Sequence, residues 1–428
     1  MRHARLKVLL IGSGGREHAM AWKLAQSSKI TELLIAPGNA GTAEVGTNVN
    51  ICVDDHADIV KFAKNENVDL VVVAPDQPIV DGLCDQLRSA GITTFGPSAA
   101  AARIEGSKIW SDELMTKYGI PTAESVAFNN SGAAMEYCRS KSAGSLVVKA
   151  DGLAAGKGVI LPETDDDLAS AIIGMLDNGA FGKSSSSILL AERMTGPEAS
   201  IFAFVDGEHV SAEIAICDYK RVGEGDVGLN TGGMGAYGPP EFWNAELAAR
   251  VRSEILEPIA KALVAENSSF SGVIYAGLMI TESGPKVVEF NCRFGDPETQ
   301  ILMPMLDSDF LEICLAVAEN RLAEEEVIWS SEPHTFVVAV SGGYPGSYPT
   351  GFEILGIDEA TEHGVVFHAG TSVDDNGALL TSGGRVLGVS SSGTTIKDAR
   401  TSAYFGIEQI SFEGMQYRRD IAERAVQD

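Results

Sequence analysis

Short unbroken apolar runs, each followed by a glycine turn and a helical stretch, dominate the beginning of the chain. Lys7-Val8-Leu9-Leu10-Ile11 reads as a buried strand, and Gly12-Ser13-Gly14-Gly15 turns it into a helix starting near Arg16-Glu17-His18 and running to Ser27. Leu33-Leu34-Ile35-Ala36 and Leu70-Val71-Val72-Val73 repeat the pattern, and Thr93-Thr94-Phe95-Gly96-Pro97 closes the unit. Strands that are apolar throughout, with helices between them, belong to a parallel sheet covered on both faces. The pattern predicts an open α/β sheet whose ligands meet the C-terminal ends of its strands.

The spacing then changes. Ser98 caps an alanine-rich helix, and Glu105-Gly106-Ser107-Lys108 leads into another that reaches Tyr118. Leu146-Val147-Val148-Lys149 and Val159-Ile160-Leu161 flank the glycine-rich stretch from Ala150 to Gly158, a strand-loop-strand unit. A Walker loop would open a helix instead. Ser187 to Met194 and Ala199 to Phe204 are strands around the turn Gly196-Pro197-Glu198. Asp218 to Arg221 and Asn230 to Pro240 lack apolar periodicity and read as one long functional loop. Glu246 to Glu266 is helical with a break expected at Pro258, and Asp309 to Glu325 is a further helix. The C-terminal stretch holds Val/Gly-rich strands, Thr335 to Val340, Gly364 to His368 and Gly384 to Val389, with a helix near Thr395 to Gly406.

One hairpin carries polar chemistry on an apolar frame. Gly272 to Ile280 pairs with Lys286 to Asn291 around Thr281 to Pro285. Residues two apart in a strand share a face, so Glu289 and Asn291 point one way, and Val288 and Phe290 the other. Their side chains stand roughly 7 Å apart along the strand. Two hard oxygen donors at that spacing suit Mg²⁺ with its nucleotide phosphates. The bland alternative is an edge strand with a solvated polar face.

Composition narrows the classes. A length of 428 residues suggests about three domains. A net charge of −27 argues against nucleic acid or an anionic membrane as partner, since both need a basic face. Lysine and arginine clusters are therefore local anion sites. Six scattered cysteines without a C-x-x-C pair suggest neither zinc nor disulfides, which fits a reducing cytoplasm. The apolar run behind the basic N-terminus is too short for a signal-peptide core or a membrane span.

Two phosphate-binding features follow. Gly12-x-Gly14-Gly15 lacks the third glycine of a dinucleotide fingerprint, and Ala36-Pro37-Gly38-Asn39 stands where an acidic residue would follow the second strand. A small phosphate-bearing molecule is the better guess, unless the glycines only permit a tight turn. The loop from Ala150 to Gly158 can lay backbone N–H groups over phosphates, with charge from Lys149 and Lys157. Lys149 ends an apolar run, so its ammonium is buried and needs an anion. Otherwise the loop is a solvated surface hairpin.

Lys108 in Glu-Gly-Ser-Lys, the loop from Lys149 to Gly158, Asn230 to Tyr237 and the segment from Glu289 to Gln300 together resemble the ATP-grasp fold of the phosphoribosylamine–glycine ligase family. The likeness extends over nearly the whole chain, through Gly12 to His18, Ala36 to Ala43 and Ser382 to Leu387. It implies an α/β and α+β multidomain protein: an N-terminal open parallel sheet (1–103), a central ATP-grasp fold of two subdomains (104–328, with a lid about 122–190) and a small C-terminal mixed β domain (329–428). It also implies ATP-dependent joining of glycine to 5-phosphoribosylamine in purine synthesis, with Mg²⁺ or Mn²⁺.

By the same resemblance, Lys108 and Lys149 meet the ATP phosphates under Gly152, Gly156, Lys157 and Gly158. The backbone from Glu192 to Met194 holds adenine and Glu198 the ribose. Glu289 and Asn291 hold the metal. Arg293, Asp296, Glu298 and Lys220 act on glycine and the acyl phosphate, and Gly14, Gly15, Asn39, Asp76 and Asp218 receive the phosphoribosyl substrate. A monomer is expected, with no exposed heptad or repeated patch to signal an oligomer.

The chain departs from the family pattern at four places. Ala74-Pro75-Asp76 replaces Gly-Pro-Glu, Cys217-Asp218-Tyr219 replaces Gln-Asp-His, Ala191 stands for a glutamate and Leu229 for a proline. Three alternatives follow: an ATP-grasp ligase with another acid or amine, an idle nucleotide-binding homologue, and a nicotinamide oxidoreductase resting on the glycine turn alone.

Overall fold

The computed structural model describes residues 5–154 and 158–426. Strands Leu6–Gly12, Ile30–Pro37, Thr47–Asn48, Leu70–Val73 and Thr93–Phe95 form the predicted parallel sheet, with Leu6–Gly12 central. Leu9 and Ile11 pack on one side, and Val8 and Leu10 on the other, all fully buried. Both cores continue without a gap into the next unit, through Ile201 and Ile274 on one side and Phe202 and Phe204 on the other.

The second unit is built on a long mixed-origin sheet. Its order runs Gly284–Asn291, Ser271–Thr281, Glu198–Asp206, Ile214–Asp218, Gly235–Gly238, His334–Val340, Arg385–Ser392 and Val365–His368. The last three come from the C-terminal part of the chain, so its strands extend the central sheet edge to edge. A separate four-stranded antiparallel sheet, Ser125–Phe128, Ile188–Glu192, Leu146–Ala150 and Val159–Ile160, has its own small core around Val148, Ile172 and Leu190. This is the lid.

Several expectations need correction. The stretch read as one long loop contains the hairpin Arg221–Gly223 with Val227–Asn230 and the buried strand Gly235–Gly238. Its glycines disguised the strand: a Cβ on Gly235 would sit 2.6 Å from Phe336 O, and one on Gly238 2.4 Å from Ile216 Cδ1. The neighbouring strands approach too closely for side chains. The helix expected to break at Pro258 instead loosens one turn earlier. Arg252–Leu256 is a π-turn, with Glu257 N bonded to Arg252 O, where the proline ring would crowd a regular turn. The helix expected to reach Glu325 is Phe310–Ala318, ended by Asn320 in the left-handed region at φ 56°.

The N-terminal unit docks on the C-terminal strand through two histidines. His18 Nδ1 accepts from His368 N at 2.8 Å, His368 Nδ1 meets Thr371 Oγ1 at 3.1 Å, and Asn39 Nδ2 donates to His368 O at 3.0 Å. Burial pushes His18 down to about 3 and His368 to about 4, so both stay neutral in the fold. In the unfolded chain each protonates near 6.5. Their neutral forms therefore stabilise the fold above that pH, and the contribution is lost as pH falls. About 2 kcal/mol per histidine should disappear between pH 7 and pH 5. Chemical denaturation at the two pH values should show a drop about 2 kcal/mol smaller in His18→Gln than in the unaltered chain; equal drops would remove His18 from the account.

Candidate active site

The hairpin carrying Glu289 and Asn291 forms as expected, with one addition. Gly277 pairs with Glu289 but Leu278 pairs with Val287, so Val288 is an extra residue, a β-bulge. The bulge presents the Val288 carbonyl to the lid, where Lys149 Nζ donates to it at 2.8 Å. Lys149 is buried, and desolvation lowers its ammonium against the attraction of Glu289. Burial pushes the Glu289 carboxyl up, but Lys108, Lys220, Lys149 and Arg293 outweigh it and hold the group below its ordinary range. Glu289 is thus an ionised carboxylate in a ring of cations.

The lid joins the same cleft at its base. Ser107 caps the helix Lys108–Tyr118, and Asp151 Oδ1 accepts from Ser107 Oγ at 2.9 Å and Ile109 N at 3.1 Å. Lys108 Nζ donates to Gly152 O at 3.1 Å. Gly152 has φ 122° and lies against Ser184, which leaves no room for a side chain. Gly158 closes the loop through Ala150 N, which donates to its carbonyl at 2.8 Å. Gly156 and Lys157 lie outside the described residues.

On the cleft's other wall, Lys220 Nζ lies 3.2 Å from Glu198 and 3.9 Å from Asp218. Burial raises Asp218 to about 7 against the pull of Lys220, and Asp218 in turn raises Lys220. Glu192 N donates to Glu124 O and Arg193 N to Ser145 O, both at 2.8 Å. Two of the three residues expected to present backbone to a base have therefore committed their N–H groups, and Met194 follows them. The turn at Gly196 packs this segment on Ile280, its missing Cβ only 2.1 Å from the Ile280 carbonyl oxygen.

The segment after Asn291 folds against the N-terminal unit. Arg293 Nη2 donates to Glu105 Oε1 at 2.8 Å and to Asn291 Oδ1 at 3.4 Å, and lies 3.7 Å from Asp76. Asp296 pairs with Arg385 at 3.0 Å and accepts from Gln300 Nε2 at 2.8 Å. Burial opposes ionisation of Asp296, yet Arg385 and Arg16 hold it below its ordinary value. Glu298 is buried and folds back over Gly295, where a Cβ would lie 2.3 Å from its carboxyl.

The glycine turn behaves differently from its reading. Gly14 N donates to Glu17 Oε2 at 2.6 Å, so the anion at this helix start is the chain's own carboxylate. Both positions are crowded instead: an added Cβ at Gly14 would stand 2.8 Å from Glu17 Oε2, and one at Gly15 would press on Gln300 Nε2. Asn39 spends its amide on Ser13 O, Gly14 O and His368 O, and its Oδ1 on Thr42 N. It holds the turn in place rather than presenting a free group.

Sequence reasoning missed Glu105, Asp151 and Gln300, and left Arg385 open. Glu105 had a signal: with Ala101 and Ala102 it falls on the buried face of the helix Ala99–Gly106. Asp151 and Arg385 act over long range with no local trace, whereas Gln300 bonds Asp296 only four residues away.

Among the described residues no group of three or more His, Cys, Asp or Glu side chains is arranged as a metal cage. A divalent ion bound with nucleotide needs less, because phosphates and waters complete its shell. The ionised Glu289 and the buried Asn291 amide oxygen fit such an ion.

Family models match the chain from end to end: the N domain of phosphoribosylglycinamide synthetase over residues 6–105, its ATP-grasp (A) domain over 106–299 and its C domain over 334–424. The chain is 46% identical over 426 residues to the phosphoribosylamine–glycine ligase of Salmonella typhi, covering 99% of each. The chain belongs to the phosphoribosylglycinamide synthetase family. The Rhizobium meliloti ligase is likewise 46% identical over 421 residues, covering 98% of this chain and 99% of that one. The crystal structure of the Thermotoga maritima phosphoribosylamine–glycine ligase superposes with a TM-score of 0.85 at 32% identity, over 97% of this chain and all of that one. A biotin carboxylase domain from Hydrogenobacter thermophilus shares the fold alone, with a TM-score of 0.69 at 14% identity over 99% and 98% of the two chains.

Membership of the synthetase family brings ATP and a divalent ion, and the structure sorts the four departures by position. Asp76 faces the cleft beside Arg293. Cys217 and Tyr219 flank Asp218 on the strand's opposite face, and both lie in the C-terminal core. Tyr219 accepts from Ala422 N at 3.0 Å and lies under the Arg418 guanidinium, 4.7 Å from its ring centre. Ala191 is buried in the lid, and Leu229 is exposed on the hairpin. Tyr219→His should therefore leave the Michaelis constants for all three substrates within about twofold while destabilising the fold by about 1–3 kcal/mol, read by steady-state kinetics beside a denaturant titration. A large change in any Michaelis constant would place Tyr219 in the cleft after all.

Proposed function

We propose that the chain joins glycine to 5-phosphoribosylamine with ATP, giving glycinamide ribonucleotide, ADP and phosphate in purine synthesis. The observation that carries this reading is the single cleft in which the lid ammonium of Lys149, the ionised Glu289 and the Arg293 guanidinium converge. A carboxylate is a poor acyl donor, so glycine must be activated. A glycine carboxylate oxygen attacks the γ-phosphorus, the bond to the β-bridging oxygen breaks, and ADP leaves with that electron pair. The amine lone pair of phosphoribosylamine then adds to the acyl carbon, and phosphate departs with the carbon–oxygen bonding pair. The amine gives up a proton, and we assign its acceptance to Asp218, the carboxylate 3.9 Å from Lys220 that also receives the phosphoribosyl substrate.

The residues divide accordingly. Lys108 and Lys149 meet the phosphates beneath the lid carrying Gly152, Gly156, Lys157 and Gly158, the backbone at Met194 meets adenine beside Glu192, and Glu198 meets the ribose. Glu289 and Asn291 hold Mg²⁺, or Mn²⁺, which supplies charge neutralisation when bound. Arg293 orients the glycine carboxylate, Lys220 steadies the transferring phosphoryl group, and Asp296 and Glu298 shape the acyl end. Gly14, Gly15, Asn39 and Asp76 form the phosphoribosyl end, with Asn39 acting through the turn it holds. Catalysis is positioning and electrostatics, with no side-chain nucleophile.

All six cysteines are free, which supports a reducing cytoplasm. No helix among the described residues is long and apolar enough to cross a membrane.

A second reading, another acid or amine in place of glycine or phosphoribosylamine, is favoured by Asp76 alone, since that departure lies beside Arg293. Phosphate release from ATP should require both glycine and freshly generated phosphoribosylamine, and alanine should be used about 100-fold less efficiently in kcat/KM. Equal turnover with alanine would favour the second reading. Glu289→Gln, which keeps the shape and removes the charge, should raise the half-saturating Mg²⁺ concentration about tenfold or more. An unaltered metal titration would remove Glu289 from the ion.

A further inference from the structure

We propose that Glu105 is a positioning residue for the reaction: it fixes the Arg293 guanidinium at the glycine end of the cleft and ties it to the phosphate end through Lys108. This rests on the assignment of Arg293 to glycine. Glu105 is 5% exposed, at the end of the helix Ala99–Gly106. Its Oε2 accepts from Cys292 N at 2.8 Å and Cys292 Sγ at 3.2 Å, while Oε1 accepts from Arg293 Nη2 at 2.8 Å. One carboxylate therefore grips two consecutive residues directly after Asn291.

The other groups around Arg293 hold it less firmly. Asp76 stands 3.7 Å away, beyond hydrogen-bond reach, where a glutamate in the family pattern is one methylene longer. Asn291 Oδ1 lies at 3.4 Å, and Arg293 Nε is buried without a partner. Glu105 thus provides the close anionic contact of this guanidinium. Only Gly106 and Ser107 separate it from Lys108, which with Ser107 contacts the lid residues Asp151 and Gly152. A shift of Glu105 would alter the distance between the carboxylate to be activated and the phosphoryl donor, and small errors in that distance are costly.

Steady-state kinetics of Glu105→Gln, Arg293→Met and the double variant test the proposal, with the thermal midpoint recorded for each. Glu105→Gln should raise the KM for glycine tenfold or more and leave that for ATP within about twofold. The double variant should be no worse than Arg293→Met, because the two residues act through one contact. Equal increases for both substrates, or a double variant that loses the product of the single effects, would overturn the proposal. If Arg293→Met leaves the glycine KM unchanged, the assignment of Arg293 to glycine fails, and non-additivity in kcat then decides whether Glu105 acts through Arg293. Should Glu105→Gln fail to fold, Glu105→Asp, which draws the charge back by one methylene, is read by the same criteria.

Discussion

A buried ammonium must meet an oxygen, and the position of Lys149 in the apolar lid strand forces the architecture of the cleft. The oxygen it meets belongs to Val288, and it is available because the strand beneath carries one residue more than its partner. That extra residue makes the lid and the strand bearing Glu289 and Asn291 a single piece. It also sets the register that turns both donors toward the cleft, since a slip by one residue would reverse every side chain. On the proposed function, nucleotide grip and ion site both follow from the same bulge.

The chain as a whole repels polyanions, with 59 acidic against 32 basic residues, yet its cleft gathers Lys108, Lys149, Lys220, Arg293 and Arg385. Each of these is held by a protein oxygen: the carbonyls of Gly152 and Val288, and the carboxylates of Glu198, Glu105 and Asp296. Cations fixed in advance need no reorganisation when charge moves from ATP to glycine, which is where electrostatic catalysis gains most. The carboxylates that fix them also keep the cleft from becoming a general anion trap.

Local pattern revealed those parts of the structure whose physics is local. The parallel strands, the Ser98 cap, the hairpin carrying Glu289 and Asn291 and the strand-loop-strand unit all follow from periodicity and turn chemistry within a few residues. The strand Gly235–Gly238 was hidden because crowding between neighbouring strands demands glycine there, the residue that ordinarily marks a loop. The C-terminal strands looked like a separate unit because nothing in a single strand says which sheet it will extend. Glycines at 14 and 15 suggested an anion site, but the acid three residues on from Gly14 fills it, and side chains there would press on Glu17 and Gln300. Asn39 reaches His368, 329 residues away, and Arg385 reaches Asp296 and Gly232, 89 and 153 residues away, so their contacts existed only once the chain had folded.

Strand alternation decides what each departure from the family pattern means. Asp218 faces the cleft, so its neighbours at 217 and 219 must face away, and their replacements are absorbed by the C-terminal core, where the Tyr219 ring meets Arg418 and Arg424. The Tyr219 ring is buried in that core, with its hydroxyl accepting from Ala422 N. Asp76 is the contrary case. It lies at the start of a helix whose first turn opens on the cleft, and the lost methylene leaves its carboxylate short of Arg293. The guanidinium then leans on Glu105, a carboxylate held from behind by the Cys292 backbone and therefore less free to adjust. The contact to Asp76 is long and the contact to Glu105 is close, so the restraint on this guanidinium is uneven and comes mainly from the side of the helix Ala99–Gly106.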